Sequence, residues 1–344
     1  MAKYPNTATL IALRNKSYGE MICMRIKMIL IVLSLSLTLV GCHSGEPPDS
    51  KETANQGTIG VSLMTLTNPF FKVIGDTIAE KAATQGYDVM VVGADEDAAK
   101  QSAQVNDFIV SGVAAIVLAP YDSRAIGPAI AAATSAGIPV FTVDNGCLAE
   151  GCNVTCHVAT DNEMGGRQAG EAILEALDGR GGPVAILDHK VTESCLLRVK
   201  GFKEIIERSN KTADNPVAIV SELPSGGNRA TGHRATKDIL QAHSDLVGLF
   251  AINDPSALGA CAALEEDGKQ DQVVVIGFDG QPEGKKAILA GRIYADPIQF
   301  PDRMAKKTVE MILAYFNGQE VPAEILIPTE IYRQSDAKSD RSIQ

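Results

Sequence analysis

Several short apolar runs in this chain end in side chains suited to gripping hydroxyl groups. Asp144 and Asn145 close "PVFTVDN", Asn253 and Asp254 close "GLFAIND", Asp279 closes "IGFDG", and Asn68 follows "TIGVSLM". A carboxylate accepts hydrogen bonds on two oxygens and an amide both donates and accepts, so several of them together suit a ligand with vicinal hydroxyls. Each also has a plain structural use. Asp and Asn form turns and N-caps, and Asn68 before Pro69 is a good helix start. A single such residue reads as a cap; recurrence at four strand ends shifts the balance towards a polar site. Other chemistries find less support, since G-x-S-x-G, H-E-x-x-H and EF-hand spacings are all missing. "GNRATGHRAT" mimics a phosphate loop but has His233 where lysine is needed, and "GADEDAAK" lacks the calcium-loop glycine. No nucleophile–base pair stands out and the five histidines show no metal spacing, so neither catalysis nor a metal or cofactor is expected.

Two neighbouring rings, Phe70 and Phe71 in "TLTNPFFKVIGD", raise a separate question. Helix neighbours point about 100° apart, so both cannot sit squarely on one core stripe. Phe71 lies near the stripe of Ile74, Ile78 and Ala82, and Phe70 lies off it.

The elements that must position these residues show a βα rhythm. After residue 57, runs such as "DVMVVGA", "AAIVLAP", "GPVAILD", "AIVSEL", "QVVVIGFDG" and "IYADPIQF" alternate with helical patterns such as "SRAIGPAIAAATSAG", "EMGGRQAGEAILEALDG" and "PDRMAKKTVEMILAYFNG". Near-continuous apolar strands separated by helices predict parallel sheets covered on both faces, the doubly wound α/β class. So many βα units in 344 residues fit two lobes better than one sheet. In an open α/β sheet a ligand sits beyond the carboxyl ends of the strands, where the Asp and Asn residues are.

Charge and cysteines narrow the setting. Residues 24–42, "MRIKMILIVLSLSLTLVGC", join a basic start to an apolar segment that suits a secretory signal rather than a membrane span. The stretch before Met24 has no signal character, so translation is expected to begin there or at Met21. The whole chain carries a net −11; without residues 1–41 it has 26 basic and 41 acidic residues, a net −15. An acidic chain without a basic stripe is a poor partner for nucleic acid. Of seven cysteines, Cys147, Cys152, Cys156, Cys195 and Cys261 lie beyond the leader, in an oxidising compartment if the chain is exported. "CLAEGCNVTCH" admits a metal cluster with His157 or a local disulfide, and Cys147 with Cys152 is the better pairing; Cys261 reads as a small buried hydrophobe.

The residues taken together resemble a known family. "TNPFF", "ATDNEMGGRQAG", "AINDPSALGA", "VIGFDGQPEG" and "PIQFPDRMA", in this order from about residue 57 to 332, are similar to the ribose-type periplasmic sugar-binding proteins that serve ABC transporters. The end of the leader, "LVGC", resembles the lipobox of bacterial lipoproteins, which would make Cys42 a lipidated anchor. The family implies two Rossmann-like lobes joined by three hinge crossings, the periplasmic binding protein type I fold. The expected segments are a leader at 1–42, a polar linker at 43–56, an N-terminal lobe of 57–160 plus 300–328, and a C-terminal lobe of 161–299 plus 329–344. Its sugar-binding positions fall on Asn68, Phe70, Phe71, Asp144, Arg198, Asn253, Asp279 and Gln299, with both rings sent to the cleft. Asn145 stands where the ribose proteins have an arginine, Met64 where they have a small polar residue, and Gly227 where they have a covering aromatic, which puts ribose itself in doubt. The resemblance implies a monomeric, exported, periplasmic or cell-surface lipoprotein that captures a monosaccharide or polyol and delivers it to a membrane ABC permease with its ATPase. The alternatives are a sugar sensor presenting its closed form to a receptor or kinase, the effector domain of a sugar-responsive regulator, and an enzyme. The regulator needs a helix-turn-helix before residue 57, where this chain has an export signal.

Overall fold

The computed structural model describes residues 55–343; the expected leader, its Cys42 and most of the linker lie outside them. The first run of elements is β1 (Thr58–Leu63), α1 (Pro69–Ala83), β2 (Asp88–Gly93), α2 (Ala98–Ser111), β3 (Ala115–Ala119), α3 (Gly127–Ser135), β4 (Val140–Val143) and β5 (Cys156–Thr160). The second is α4 (Asn162–Leu177), β6 (Gly182–Asp188), α5 (Glu193–Asn210), β7 (Val217–Pro224), α6 (Arg229–Ala242), β8 (Gly248–Ala251), α7 (Asp254–Glu266), β9 (Val274–Ile276), α8 (Pro282–Leu289) and β10 (Ala295–Ile298). The chain closes with α9 (Pro301–Phe316), β11 (Glu324–Ile327), β12 (Glu330–Arg333) and α10 (Gln334–Ser339).

These strands form two six-stranded sheets, ordered β11-β5-β4-β3-β1-β2 and β12-β10-β9-β8-β6-β7. The same doubly wound order therefore occurs twice, each time with one strand added from the C-terminal segment. The first sheet is parallel throughout. The second is parallel except for β12, which runs antiparallel to β10. The chain passes between the sheets after β5, after β10 and after β11, so three segments cross side by side. The last crossing explains the antiparallel strand: β10 leaves its sheet at the crossing and β12 enters there, so the two must run in opposite directions.

Local chemistry accounts for the elements. The run "AIVLA" of β3 is buried at all five positions, as expected for a strand covered on both faces. Helix α1 starts where Asn68 accepts the Phe70 N–H at 3.0 Å and Pro69 needs no donor partner. Apolar cores fill both faces of each sheet; Ile74, Val117 and Met304 meet on one face of the first, and Phe108, Ile116 and Ile130 on the other. Phe202 and Phe250 stack at 4.7 Å in the second lobe.

Three strands were not legible in the sequence. β5 begins inside "CNVTCHVAT", which reads as a cysteine loop, while β11 and β12 are short edge strands whose residues are largely half-buried or exposed. Cys147 and Cys152 are joined by a disulfide in the β4–β5 connection, and Cys156, Cys195 and Cys261 are free and buried.

Candidate functional site

The strand ends of both sheets face one another across a cavity between the lobes. Asn68, Phe70, Phe71, Asp144, Asn145, Arg198, Asn253, Asp279 and Gln299 all line it, together with Met64, His189, Thr192, Ser194 and Cys195. The open volume is about 60 Å3, so the two sets of strand ends stand close together. Asp254 is the exception among the strand-end residues. Its carboxylate turns away from the cavity and accepts the Gln281 N–H at 2.6 Å.

Arg198 anchors the second-lobe wall. It is 3% exposed; its Nε donates to Asn162 at 2.8 Å, and its Nη1 donates to the Ile252 carbonyl at 2.7 Å and to Asp279 at 3.1 Å. Its guanidinium also lies 3.9 Å from the centre of the Phe278 ring. Asp279 accepts from Gln281 and Gln299 as well, at 3.0 and 2.6 Å. Gln299, just past β10, takes the Thr160 hydroxyl at 2.7 Å, so it ties two of the crossings to the cavity wall. Burial pushes the Asp279 carboxyl up, and the donors from Arg198, Gln281 and Gln299 oppose it.

Asp144 differs from Asp279. It is 4% exposed, and among the described residues its buried Oδ1 has no hydrogen-bond partner. Burial pushes its carboxyl up to about 7; Arg198 opposes the shift, and Asp279 and Glu193 add to it. Both aspartates have left-handed backbones, with φ 67° at Asp144 and 106° at Asp279, a conformation that Asp and Asn tolerate better than other residues with a Cβ. Strain of this kind clusters at functional sites.

The asparagines have mixed duties. Asn68 and Asn253 both cap helices, and Asn253 also donates to the Gly227 carbonyl at 2.9 Å. Asn145 spans the lobes: its Oδ1 accepts the Ser194 N–H at 3.3 Å, and its Nδ2 faces the Met64 sulfur at 3.9 Å. Further bonds close the same seam. Gly146 donates to Glu193 at 2.8 Å, Glu193 N–H to the Ser123 hydroxyl at 3.0 Å, and Ser123 N–H to the Val191 carbonyl at 2.9 Å. His157 Nε2 lies 3.6 Å from the same Glu193 carboxylate, but burial holds His157 down to about 4, so this contact is not an ion pair at neutral pH.

Both rings have a double placement. Phe70 and Phe71 are 6% and 5% exposed, pack edge to face at 5.1 Å, and belong to one apolar core while lining the cavity. Phe71 serves cavity and core together, as expected, and Phe70, which lies off the stripe of Ile74 and Ile78, is in the core as well, because α9 packs against α1. Opposite them, Gly227 has φ 68° and brings backbone close to Asn253. The ring on that side is His189, which sequence reasoning missed although it directly follows β6; the strand-end rule applied to "GPVAILDHK" finds it. Ser194, Cys195 and Arg198 share one face of α5 at helical spacing, a signal that points inward only once the helix is docked. Among the described residues, no group of three or more His, Cys, Asp or Glu could hold a metal ion.

Comparison with known proteins agrees with this architecture. The family described as "Periplasmic binding protein domain" matches residues 59–320. The ribose import binding protein of Bacillus subtilis is 34% identical over 314 residues, which is 90% of this chain and 99% of that protein. An ABC transporter solute binding protein from Bacillus halodurans C-125, solved with bound myo-inositol, superposes with a TM-score of 0.76 at 26% identity over 85% of this chain and 99% of that one. A periplasmic solute binding protein from Actinobacillus succinogenes 130z, solved with bound D-allose, gives 0.75 at 26% identity, covering 83% and 100%. The chain belongs to the periplasmic binding protein family, with its ribose-type sugar-binding members, and is a binding protein and not an enzyme.

Proposed function

We propose that this protein captures a single monosaccharide or polyol by closure of its two lobes and delivers it to an ABC permease with its ATPase. The observation that carries the reading is the convergence of Asp144, Arg198, Asp279 and Gln299, drawn from both lobes and a crossing segment, on one small cavity with two phenylalanine rings. Planar two-point partners grip vicinal hydroxyls and the rings cover the C–H face of a sugar. Asn68, Phe70, Phe71, Asp144, Asn145, Arg198, Asn253, Asp279 and Gln299 are the proposed ligand contacts. Relatives described as binding ribose, and neighbours solved with myo-inositol and D-allose, support the ligand class. The lobes are assigned as 57–160 plus 300–328 and 161–299 plus 329–344, so the ligand touches both. Bonds across the lobes form only in the closed state, so a ligand that contacts both lobes biases that state.

The protein would act outside the cytoplasm, as a monomer held to a membrane by lipid on Cys42. Isothermal titration of the purified protein against pentoses, hexoses, inositols and linear polyols tests the reading. Micromolar or tighter binding to at least one, with the ligand recovered unchanged, is the expected result. No heat and no thermal stabilisation across the whole panel would remove the sugar assignment.

A further inference from the structure

We infer that the ligand is a polyhydroxylated molecule carrying a protonated amine, an amino sugar or amino polyol, whose ammonium group sits against Asp144. The inference rests on the proposed reading of the cavity as the ligand site.

Two carboxylates and one guanidinium are buried in the cavity wall, and the guanidinium is already committed to one of the two. Arg198 bonds Asp279, whose oxygens also take Gln281 and Gln299. Asp144 has no such partner; its Oδ1 is buried with no hydrogen bond at all. The residue beside it, Asn145, brings no charge, and its amide oxygen is used across the lobes by Ser194. His189 does not supply the missing cation, because burial lowers its affinity for a proton. Asp279 and Glu193 add negative charge near Asp144, and Glu96 lines the same cavity; the one cation that opposes them is Arg198, which already bonds Asp279.

A neutral polyol can donate hydroxyls to Asp144, but closure around it leaves a net negative charge out of water, or forces the carboxyl to take a proton. An isolated buried charge is strongly unfavourable, whereas a paired and hydrogen-bonded one is tolerated. An ammonium group offers up to three donors and the compensating charge in one atom. The raised affinity of Asp144 for a proton is the same imbalance in another form: the cavity has room for one more positive charge.

Matched pairs test this by isothermal titration at pH 7.5: D-glucosamine against D-glucose, D-galactosamine against D-galactose, and 1-amino-1-deoxysorbitol against sorbitol. In at least one pair the amino member should bind tenfold tighter or more. That ratio should fall to near one in Asp144→Asn, a substitution that keeps shape and suits the left-handed backbone at this position. A second readout needs no variant. At pH 6.5, titration in two buffers of different ionisation enthalpy should show proton release when the amine binds, as Asp144 is held charged; neutral ligands should drive proton uptake. Neutral members that equal or exceed their amino partners in every pair overturn the inference and leave the sugar-binding reading standing. So does a preference that survives in Asp144→Asn, or proton uptake with the amine. Binding by neither class overturns both.

Discussion

The two cavity aspartates show how the same residue type, at equivalent strand ends, acquires different physics from its neighbours. Asp279 is held by a guanidinium and two amides, while Asp144 faces the cavity alone. Removing one partner of a buried, hydrogen-bonded pair leaves the other uncompensated. Arg198→Ala should therefore destabilise the protein by about 3–5 kcal/mol and abolish ligand binding, as read by denaturant unfolding and titration. Asp144 gives a pH signature. Its ordinary value is 3.8 and its folded value about 7, so in that window the folded protein still holds a proton that the unfolded chain has released. Stability therefore falls as pH rises through the window, by an amount on the order of 4 kcal/mol for a shift of this size. His157 acts the other way, because its folded value of about 4 lies below the ordinary 6.5, so its contribution rises over that interval. The Tm of Asp144→Asn minus that of the wild type cancels the His157 effect. It should grow from pH 4 to pH 7 and level off above; a flat difference would show that Asp144 is charged throughout.

At the scale of elements, helix α1 joins core and cavity in one turn. Its first turn is capped by Asn68, and its two rings enter the cavity and the core together because α9 lies against it. Phe70→Ala should for that reason lower stability by about 3 kcal/mol as well as weaken ligand binding. Loss of affinity at unchanged Tm would show that Phe70 serves the ligand and contributes little to the core. Helix α5 plays the matching part in the other lobe. Its first turn carries Ser194 and Cys195 and its second Arg198, and its N-terminal backbone reaches Asn145 and Ser123 across the gap.

At the scale of the whole molecule, a seam of polar contacts among Ser123, Asn145, Gly146 and the Val191–Ser194 segment joins the two lobes. Such bonds contribute only when the lobes meet, so weakening one shifts the open–closed balance with little effect on either lobe's own core. Asn145→Ala removes the Ser194 contact, worth about 1 kcal/mol, together with the proposed contact to the ligand, which predicts at least roughly fivefold weaker ligand binding and a Tm within a degree or two of wild type. Small-angle scattering should show a larger radius of gyration for this variant at subsaturating ligand. An unchanged affinity would mean that the Ser194 contact is formed equally with and without ligand and that Asn145 does not touch the ligand.

Much of the architecture was legible in the residue order. Apolar runs of strand length, separated by amphipathic stretches and ended by Asp or Asn, are local signals, and they identify the doubly wound class and the end of each sheet that faces the site. The family resemblance, carried by motifs from "TNPFF" to "PIQFPDRMA", pointed to eight residues that line one cavity, and the strand-end pattern added Asn145. What the sequence did not show is how those residues spend their hydrogen bonds. Asn68 and Asn253 are partly committed as caps, Asp254 turns away, His189 enters, and Asp144 Oδ1 is left without a hydrogen bond among the described residues. Those outcomes depend on contacts between residues far apart in the chain: Arg198 meets Asp279 across 81 positions, and Thr160 meets Gln299 across 139. Strand and helix formation follow from short-range periodicity and turn chemistry; which donor meets which acceptor is decided only when the lobes are packed and closed.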